Sequence, residues 1–188
     1  MTICDDEAMG GLLGVMRSGA GDALALADQL IADHPDDARL HFLRGSMLAG
    51  AGRSIEAHAA LSQAVALAPD FALARFQLGF FELTSGEADA ARDTWAPLRD
   101  RPGHYLTTFV DGLTHLIHDR FAEAADTLRA GIAANDDNPP LNTDMQLIVT
   151  RCEEALRATA PTPATAPREE ASATSFLLGQ LGDRGTTH

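Results

Sequence analysis

Two stretches of the chain carry the same pattern and decide its fold. The first is RGSMLAGAGRSIEAHAALSQAVALAPD, residues 44–70, and the second is LGFFELTSGEADAARDTWAPLRDRP, residues 78–102. Working outward from them, glycine recurs at a nearly constant interval, at Gly11, Gly45, Gly79 and Gly112. An alanine follows each glycine at a fixed distance, at Ala23, Ala57, Ala91 and Ala124. One helical turn further on come Ala27, Leu61, Trp95 and Leu128. The spacing indicates about four copies of one structural unit.

Within each copy, apolar residues are spaced as they are on one face of a helix. In the second half of repeat two, Ile55, Ala59, Leu61, Val65 and Leu67 alternate with polar residues at helical intervals. Segments with Gly or Asp, such as RSGAG, GAGR, TSGE and HDR, separate these stretches and are typical of turns. We therefore predict helices near 4–17, 20–33, 37–50, 54–67, 71–84, 87–99, 104–117 and 121–134.

A ninth helix, 143–159, is expected to cap the last repeat. Thr143-Asp-Met-Gln146 has the form of a capping box, in which Thr bonds the third amide and Gln returns the bond. One apolar stripe follows, formed by Met145, Ile148, Val149, Cys152 and Leu156. A terminal repeat would otherwise expose its stacking face to water. Beyond the helix, 160–188 is rich in Pro, Ala and Thr before an apolar end, and we predict a flexible tail.

The pattern resembles the tetratricopeptide repeat, a helix–turn–helix unit of about 34 residues with the pattern W-x2-LG-x2-Y, A-x3-F and P. Repeat two matches it at Gly45, Leu48, Ala57, Leu61 and Pro69. It departs from the family at His41 and Arg44, which stand at an aromatic and a leucine position. The resemblance implies an all-α fold, an α-solenoid of about four repeats near 4–37, 38–71, 72–104 and 105–138, with a C-terminal capping helix.

Composition limits the classes of partner. Asp and Glu total 27 against 14 basic residues, and the net charge of −13 disfavours nucleic acid. No apolar run approaches the roughly 20 residues that span a bilayer, so we expect no membrane insertion. The N-terminus lacks a basic segment before an apolar one, as a secretory signal would have. Cys4 and Cys152 form no CxxC motif and support neither a disulfide framework nor a zinc site, so we expect a cytoplasmic protein.

The first helix of each repeat carries a line of residues at i, i+3, i+7 and i+10. In tetratricopeptide proteins this line faces the concave groove that binds ligands, and the resemblance implies the same here. The peptide-binding residues so predicted are Leu12, Phe42, Leu73, Phe76, Phe80, Leu83, Leu106, Phe109, Leu113 and Leu116. A large exposed apolar surface usually marks a binding site. The alternative is that the phenylalanines and their neighbouring leucines are ordinary core, covered by the capping helix.

The tail offers a ligand for such a groove. Its apolar residues are Phe176, Leu177, Leu178 and Leu181. Burial of each would contribute about 1.5–3 kcal/mol, and tethering supplies an effective concentration of roughly millimolar order. Three hypotheses stay open: docking in the same molecule or by exchange in a homodimer, a tag read by another protein, and an end without a role.

The pattern as a whole favours a protein–protein interaction module, an adaptor, assembly factor or chaperone-like protein whose partner carries apolar side chains. Small bacterial secretion chaperones have a similar architecture with three such repeats. Some tetratricopeptide proteins clamp a chaperone's C-terminal carboxylate with basic residues on this face, but Arg39 is the lone basic residue there, so we do not expect that ligand.

An enzyme or metal-binding protein is the alternative. His115 and His118 are spaced i, i+3 on one helix, a spacing that can share a metal ion, and Asp119 is adjacent. A third ligand at a defined spacing is lacking, and the chain has no phosphate loop, GxSxG motif or dinucleotide fingerprint. We therefore expect no catalytic residues, no metal and no cofactor.

Overall fold

The fold comes from a computed structural model, which describes residues 3–19, 22–100 and 103–159. Its described part is all-helical, with nine α-helices, one short 3-10 helix and no strand. The α-helices are α1 (Asp6–Ser18), α2 (Ala23–Asp33), α3 (Ala38–Gly50), α4 (Ser54–Leu67), α5 (Ala72–Thr84), α6 (Ala88–Trp95), α7 (Tyr105–Ile117), α8 (Phe121–Ala134) and α9 (Pro139–Thr159). The predicted all-α fold is confirmed.

The sixth helix is shorter than predicted. We expected it to extend to 99, but α6 ends at Trp95 and a 3-10 helix, Ala96–Asp100, follows. Pro97 has no backbone N–H and cannot continue the α-helical hydrogen-bond ladder. The tighter turn keeps the chain helical across this point and leads it toward α7.

Two of the repeated glycines, Gly45 and Gly112, mark close contacts between the two helices of a hairpin. A Cβ atom built on Gly45 in α3 would lie 2.7 Å from Cγ of Leu61 in α4. The same geometry recurs in the fourth repeat, where a Cβ on Gly112 would lie 2.7 Å from Cγ of Leu128. In these two repeats the glycine of the first helix and the leucine of the second therefore interlock. In the first repeat nothing lies within 4 Å of a Cβ on Gly11, so that hairpin lacks the interlock.

The described residues divide into two compact units, with the boundary between Phe81 and Glu82 inside α5. We call residues up to Phe81 the N-terminal unit and residues 82–159 the C-terminal unit. In the N-terminal unit α1 packs on α2, α2 on α3 and α3 on α4. One core cluster of this unit contains Cys4, Met9, Leu12, Ala27 and Leu40, and a second contains Leu48, Ala57 and Ala60.

In the C-terminal unit, α7 packs on α8 and α8 on α9. The predicted stripe of α9 is buried at Met145, Ile148, Val149 and Cys152, whereas Leu156 is 39% exposed. This helix begins at Pro139, earlier than the predicted start, so Thr143 lies inside it and does not cap it. Proline is tolerated in a first helical turn because the amides there need no intrahelical partner.

A buried asparagine sets the start of α9. Asn135, 3% exposed, accepts a hydrogen bond at its side-chain oxygen from the Asn138 amide, 3.0 Å away. Its side-chain nitrogen donates to Asn142 Oδ1 at 2.7 Å, and Asn142 donates back to the Asn135 carbonyl at 3.1 Å. These bonds hold the turn between α8 and α9 and explain why the helix begins earlier than its local sequence suggests.

Within the described ranges, no helix combines the length and the apolar character needed to cross a membrane. The bounds predicted for the four repeats stay predictions. The predicted tail, 160–188, lies outside the described residues.

Candidate functional site

Three of the predicted peptide-binding residues are half-buried in the N-terminal unit: Phe42 on α3, and Leu73 and Phe80 on α5. The Phe42 ring contacts the ring of Phe71, with centroids 5.1 Å apart and planes tilted by 54°. Phe80 stacks on the buried ring of Phe76, with centroids 6.2 Å apart and planes inclined by only 9°. Each partly exposed phenylalanine is therefore backed by a second ring.

A polar contact joins the two helices that carry these rings. Ser46 Oγ lies 3.0 Å from Gln77 Oε1 and 2.9 Å from the Phe42 carbonyl oxygen, and its single O–H is shared between these two acceptors. Ser46 lies one turn after Phe42 on α3, and Gln77 lies one turn after Leu73 on α5. The contact therefore links α3 and α5 at the level of the half-buried apolar side chains.

The other seven predicted binding residues are buried. Their exposed fractions do not exceed 2% at Leu12, Phe76, Leu83, Leu106, Phe109, Leu113 and Leu116. Leu12 belongs to the core cluster with Met9 and Leu40. The Phe109 ring fills the space beside Gly131 of α8, where an added Cβ would lie 2.5 Å from the ring.

Such burial agrees with the alternative interpretation of Phe76 and Phe109 as core, and Phe80 is the partly exposed one of those three phenylalanines. A side chain without exposed surface contacts a ligand only when its cover moves. A binding role for the seven buried residues therefore stays a prediction. The predicted tail ligand, Phe176, Leu177, Leu178 and Leu181, lies outside the described residues.

The alternative metal site lies at the end of α7. His115 Nδ1 accepts a hydrogen bond from Arg120 Nε at 3.0 Å, so a guanidinium occupies the position that a metal ion would take at this nitrogen. His118 caps the helix, and Asp119 follows in the left-handed backbone conformation, with φ 55°. Among the described residues, no group of three or more His, Cys, Asp and Glu side chains is placed to hold a metal ion.

A polar pocket of about 470 Å³ adjoins this histidine in the C-terminal unit. The 3-10 helix, α7, α8 and the turn before α8 supply its lining, which consists of Arg99, Thr107, Asp111, Thr114, His115, Arg120 and Thr127. The sequence pattern did not reveal it, because these residues come from separate elements and form no motif. Of its lining, only His115 was singled out from the sequence.

Arg39, the lone basic residue on the predicted binding face, takes part in a structural network. Its guanidinium donates to both carboxylate oxygens of Asp37, at 3.0 and 2.7 Å, and to the Cys4 carbonyl at 2.7 Å. Asp37 also accepts from the Cys4 amide at 3.0 Å and is 3% exposed. Burial raises the pKa of Asp37, but its hydrogen bonds with Arg39 and Cys4 outweigh burial and leave the pKa below its usual value.

Comparison with known proteins supports the fold. A scan of protein-family models and a search of curated proteins find no match to this chain. A solved structure, that of a MamA RS-1 ArsTM double mutant, is similar to it with a TM-score of 0.55 and 14% identity, over 82% of this chain and 98% of that chain. MamA is a helical repeat protein of the tetratricopeptide type. The chain therefore has a tetratricopeptide-like helical fold of the α-solenoid class, and the likeness concerns the fold alone.

Proposed function

We propose that the protein is a protein–protein interaction module that binds an apolar peptide or helix, as an adaptor, assembly factor or chaperone-like protein. The observation that carries the proposal is the set of half-buried apolar side chains on α3 and α5, Phe42, Leu73 and Phe80, on a tetratricopeptide-like fold. Phe80 is supported by the buried ring of Phe76, and the other buried residues of the predicted face would meet a ligand only after their cover moves.

Aromatic side chains suit this role physically. A ring buries a large apolar area and loses little conformational entropy, so aromatic residues dominate the energetics of many interfaces. Phe42 and Phe80 are each held against another ring, at 5.1 and 6.2 Å between centroids, which limits their freedom before a ligand arrives. Preorganised apolar contacts of this kind reduce the entropic cost of association.

The ligand that we propose is a short segment with large apolar side chains, and the chain carries one at 176–181. Burial of its four apolar residues contributes about 6–12 kcal/mol. Ordering six to eight residues costs about 1–2 kcal/mol each. The balance is near zero for the free peptide, so the tether decides whether the site is occupied. Occupation by the same molecule, or by a second copy in a homodimer, blocks other partners until it is displaced.

Direct titration tests the proposal. The acceptor is the chain truncated after residue 160, and the probe is a fluorescent peptide of residues 172–186, followed by anisotropy. Because the tether supplies roughly 1 mM, docking requires a Kd of about 1 mM or tighter. We expect Phe42→Ala and Phe80→Ala each to raise the Kd of the peptide about tenfold. This corresponds to a loss of roughly 1.4 kcal/mol of binding free energy.

A matched control uses another apolar residue of the same unit. Ile55 is 88% exposed, and Ile55→Ala removes apolar surface from α4, a helix that carries none of the three half-buried residues. It should leave the affinity unchanged, whereas a peptide with its four apolar residues replaced by serine should not bind. Equal losses in the Ile55 and Phe80 variants, or no saturable binding by the native peptide, would contradict the proposal.

A further inference from the structure

We propose that the polar pocket of the C-terminal unit, lined by Arg99, His115 and Arg120, binds a phosphoryl group. This site is separate from the apolar face on α3 and α5, and the inference does not depend on peptide binding. It comes from three properties of the pocket: arginines that form no ion pair with a described carboxylate, hydrogen-bond donors without an acceptor among their described contacts, and a local positive charge in an acidic chain.

The arginines of this pocket differ from most others in the chain. All 14 basic residues are arginine, against 27 Asp and Glu. Seven described arginines pair with carboxylates: Arg39, Arg44, Arg53, Arg92, Arg129, Arg151 and Arg157. Arg99 instead donates to Thr114 Oγ1 at 3.2 Å, and Arg120 to His115 Nδ1 at 3.0 Å. In the part of the chain that the structure describes, neither forms an ion pair with a carboxylate.

The bonding pattern shows which groups can meet a ligand. Thr114 Oγ1 donates to the Val110 carbonyl at 2.7 Å, so toward Arg99 it acts as an acceptor. His115 Nδ1 accepts from Arg120, which has no acceptor of its own, and the ring proton therefore lies on Nε2. Each guanidinium spends only some of its five N–H groups on these bonds. The remaining N–H groups of Arg99 and Arg120, with Nε2–H of His115, are donors without an acceptor among their described contacts.

Charge and size select the ligand. Arg99 and Arg120 carry two positive charges against the one negative charge of Asp111, so the pocket lining is positive by one while the chain is at −13. The planar guanidinium matches phosphate oxygens with paired hydrogen bonds. A phosphoryl group offers three terminal oxygens to the three donor side chains. The volume of about 470 Å³ falls within the range of small-molecule sites, so the phosphoryl group can carry a small organic part.

NMR titration of the full-length ¹⁵N-labelled protein tests this inference. Inorganic phosphate replaces chloride at constant ionic strength and pH 7.5. We expect saturable shifts of the Thr107, Thr114 and His115 amides. Arg99→Gln and Arg120→Gln should each raise the apparent Kd at least tenfold, and both residues are exposed, so these variants should keep the wild-type far-UV circular dichroism spectrum.

The control removes an equal charge elsewhere in the same unit. Arg92 of α6 pairs with the exposed Asp89, at 2.6 Å, and Arg92→Gln should leave phosphate binding unchanged. The phosphoryl group could belong to a small organic phosphate or to a phosphorylated peptide, and glycerol phosphate and a phosphoserine peptide represent these two sources. The natural kind of ligand should bind more tightly than inorganic phosphate. Linear shifts without saturation, equal binding of acetate, or an equal loss in the Arg92 variant would overturn the inference. The Arg99 variant should still bind the 172–186 peptide as tightly as the wild type. The phosphate site and the proposed peptide site can therefore be tested independently of each other.

Discussion

Substitution of alanine for the repeated glycines should have opposite effects on stability at two equivalent positions. Gly45 and Gly11 occupy the same place in consecutive repeats, and both lie inside helices of the N-terminal unit. Alanine is favoured over glycine by about 1 kcal/mol in a helix interior. Nothing lies within 4 Å of the Cβ that Gly11→Ala would add. This variant should therefore be about 1 kcal/mol more stable than the wild type.

At Gly45 the same methyl group meets the opposite helix. The added Cβ would lie 2.7 Å from Cγ, 2.9 Å from Cδ2 and 3.1 Å from the backbone nitrogen of Leu61. All three distances are shorter than ordinary van der Waals contact, and Cγ cannot rotate away without moving the whole side chain. Overpacking of this kind costs about 1–3 kcal/mol. After the gain in helix propensity is subtracted, Gly45→Ala should be about 0–2 kcal/mol less stable than the wild type.

Urea unfolding followed by far-UV circular dichroism measures both variants at one pH and salt concentration. A double-mutant cycle isolates the side-chain contact, because Leu61→Ala removes Cγ and Cδ2 and leaves only the backbone nitrogen near the new methyl group. In the Leu61→Ala background, Gly45→Ala should lose most of its cost or become stabilising. Equal stabilisation by Gly11→Ala and Gly45→Ala, or an unchanged cost after Leu61→Ala, would refute the interlocking of α3 and α4.

Three further predictions concern polar and thiol groups. Asp37→Asn should lower the free energy of unfolding by about 1.5–3 kcal/mol at pH 7. Because the pKa of Asp37 is lowered in the folded state, the difference between the variant and the wild type should shrink as the pH falls through that pKa. Urea unfolding of both proteins at pH 7 and pH 3 measures this difference. Burial raises the pKa of the Cys152 thiol to about 11 and also raises the pKa of Cys4. Both thiols should therefore react slowly with DTNB in the native protein at pH 8 and fast in 6 M guanidinium. Rapid labelling of the native protein would contradict their burial. Asn135→Ala should lower the free energy of unfolding by about 1–3 kcal/mol, because it leaves the hydrogen-bonding partners of the Asn135 side chain unsatisfied. It should also lower the protection of the α9 amides from hydrogen exchange. An unchanged protection pattern would argue against the asparagine network.

The helical repeat could be predicted because its signal is local and periodic. Gly45 and Leu61, or Gly112 and Leu128, are near each other in sequence, and one helix–turn–helix unit brings them together. The start of α9 could not be predicted in this way. It depends on the side chain of Asn135, which bonds to Asn138 and Asn142, whereas the Thr143–Gln146 pattern has the form of a cap but lies inside the helix.

The candidate sites were harder to predict than the helices. A period of apolar residues identifies a face, but it does not say how much of that face neighbouring elements cover. Phe76 and Phe80 share one face of α5, yet the first is fully buried and the second is partly exposed. The polar pocket depends on Arg99, Thr107 and Arg120, which come from different elements, and no spacing along the chain connects them.

The network of Cys4, Asp37 and Arg39 has a consequence for how the chain responds to acid. The first hairpin has no glycine–leucine contact at Gly11, and besides the core cluster that it shares with Leu40 it is tied to the start of α3 through the Asp37 carboxylate, whose bonds to Cys4 and Arg39 weaken when it is protonated. The hairpins at Gly45 and Gly112 are joined by apolar contacts that do not titrate. Acidification should therefore fray α1 before these later hairpins melt, so that the amino-terminal segment becomes the earliest target of an acid-active protease such as pepsin.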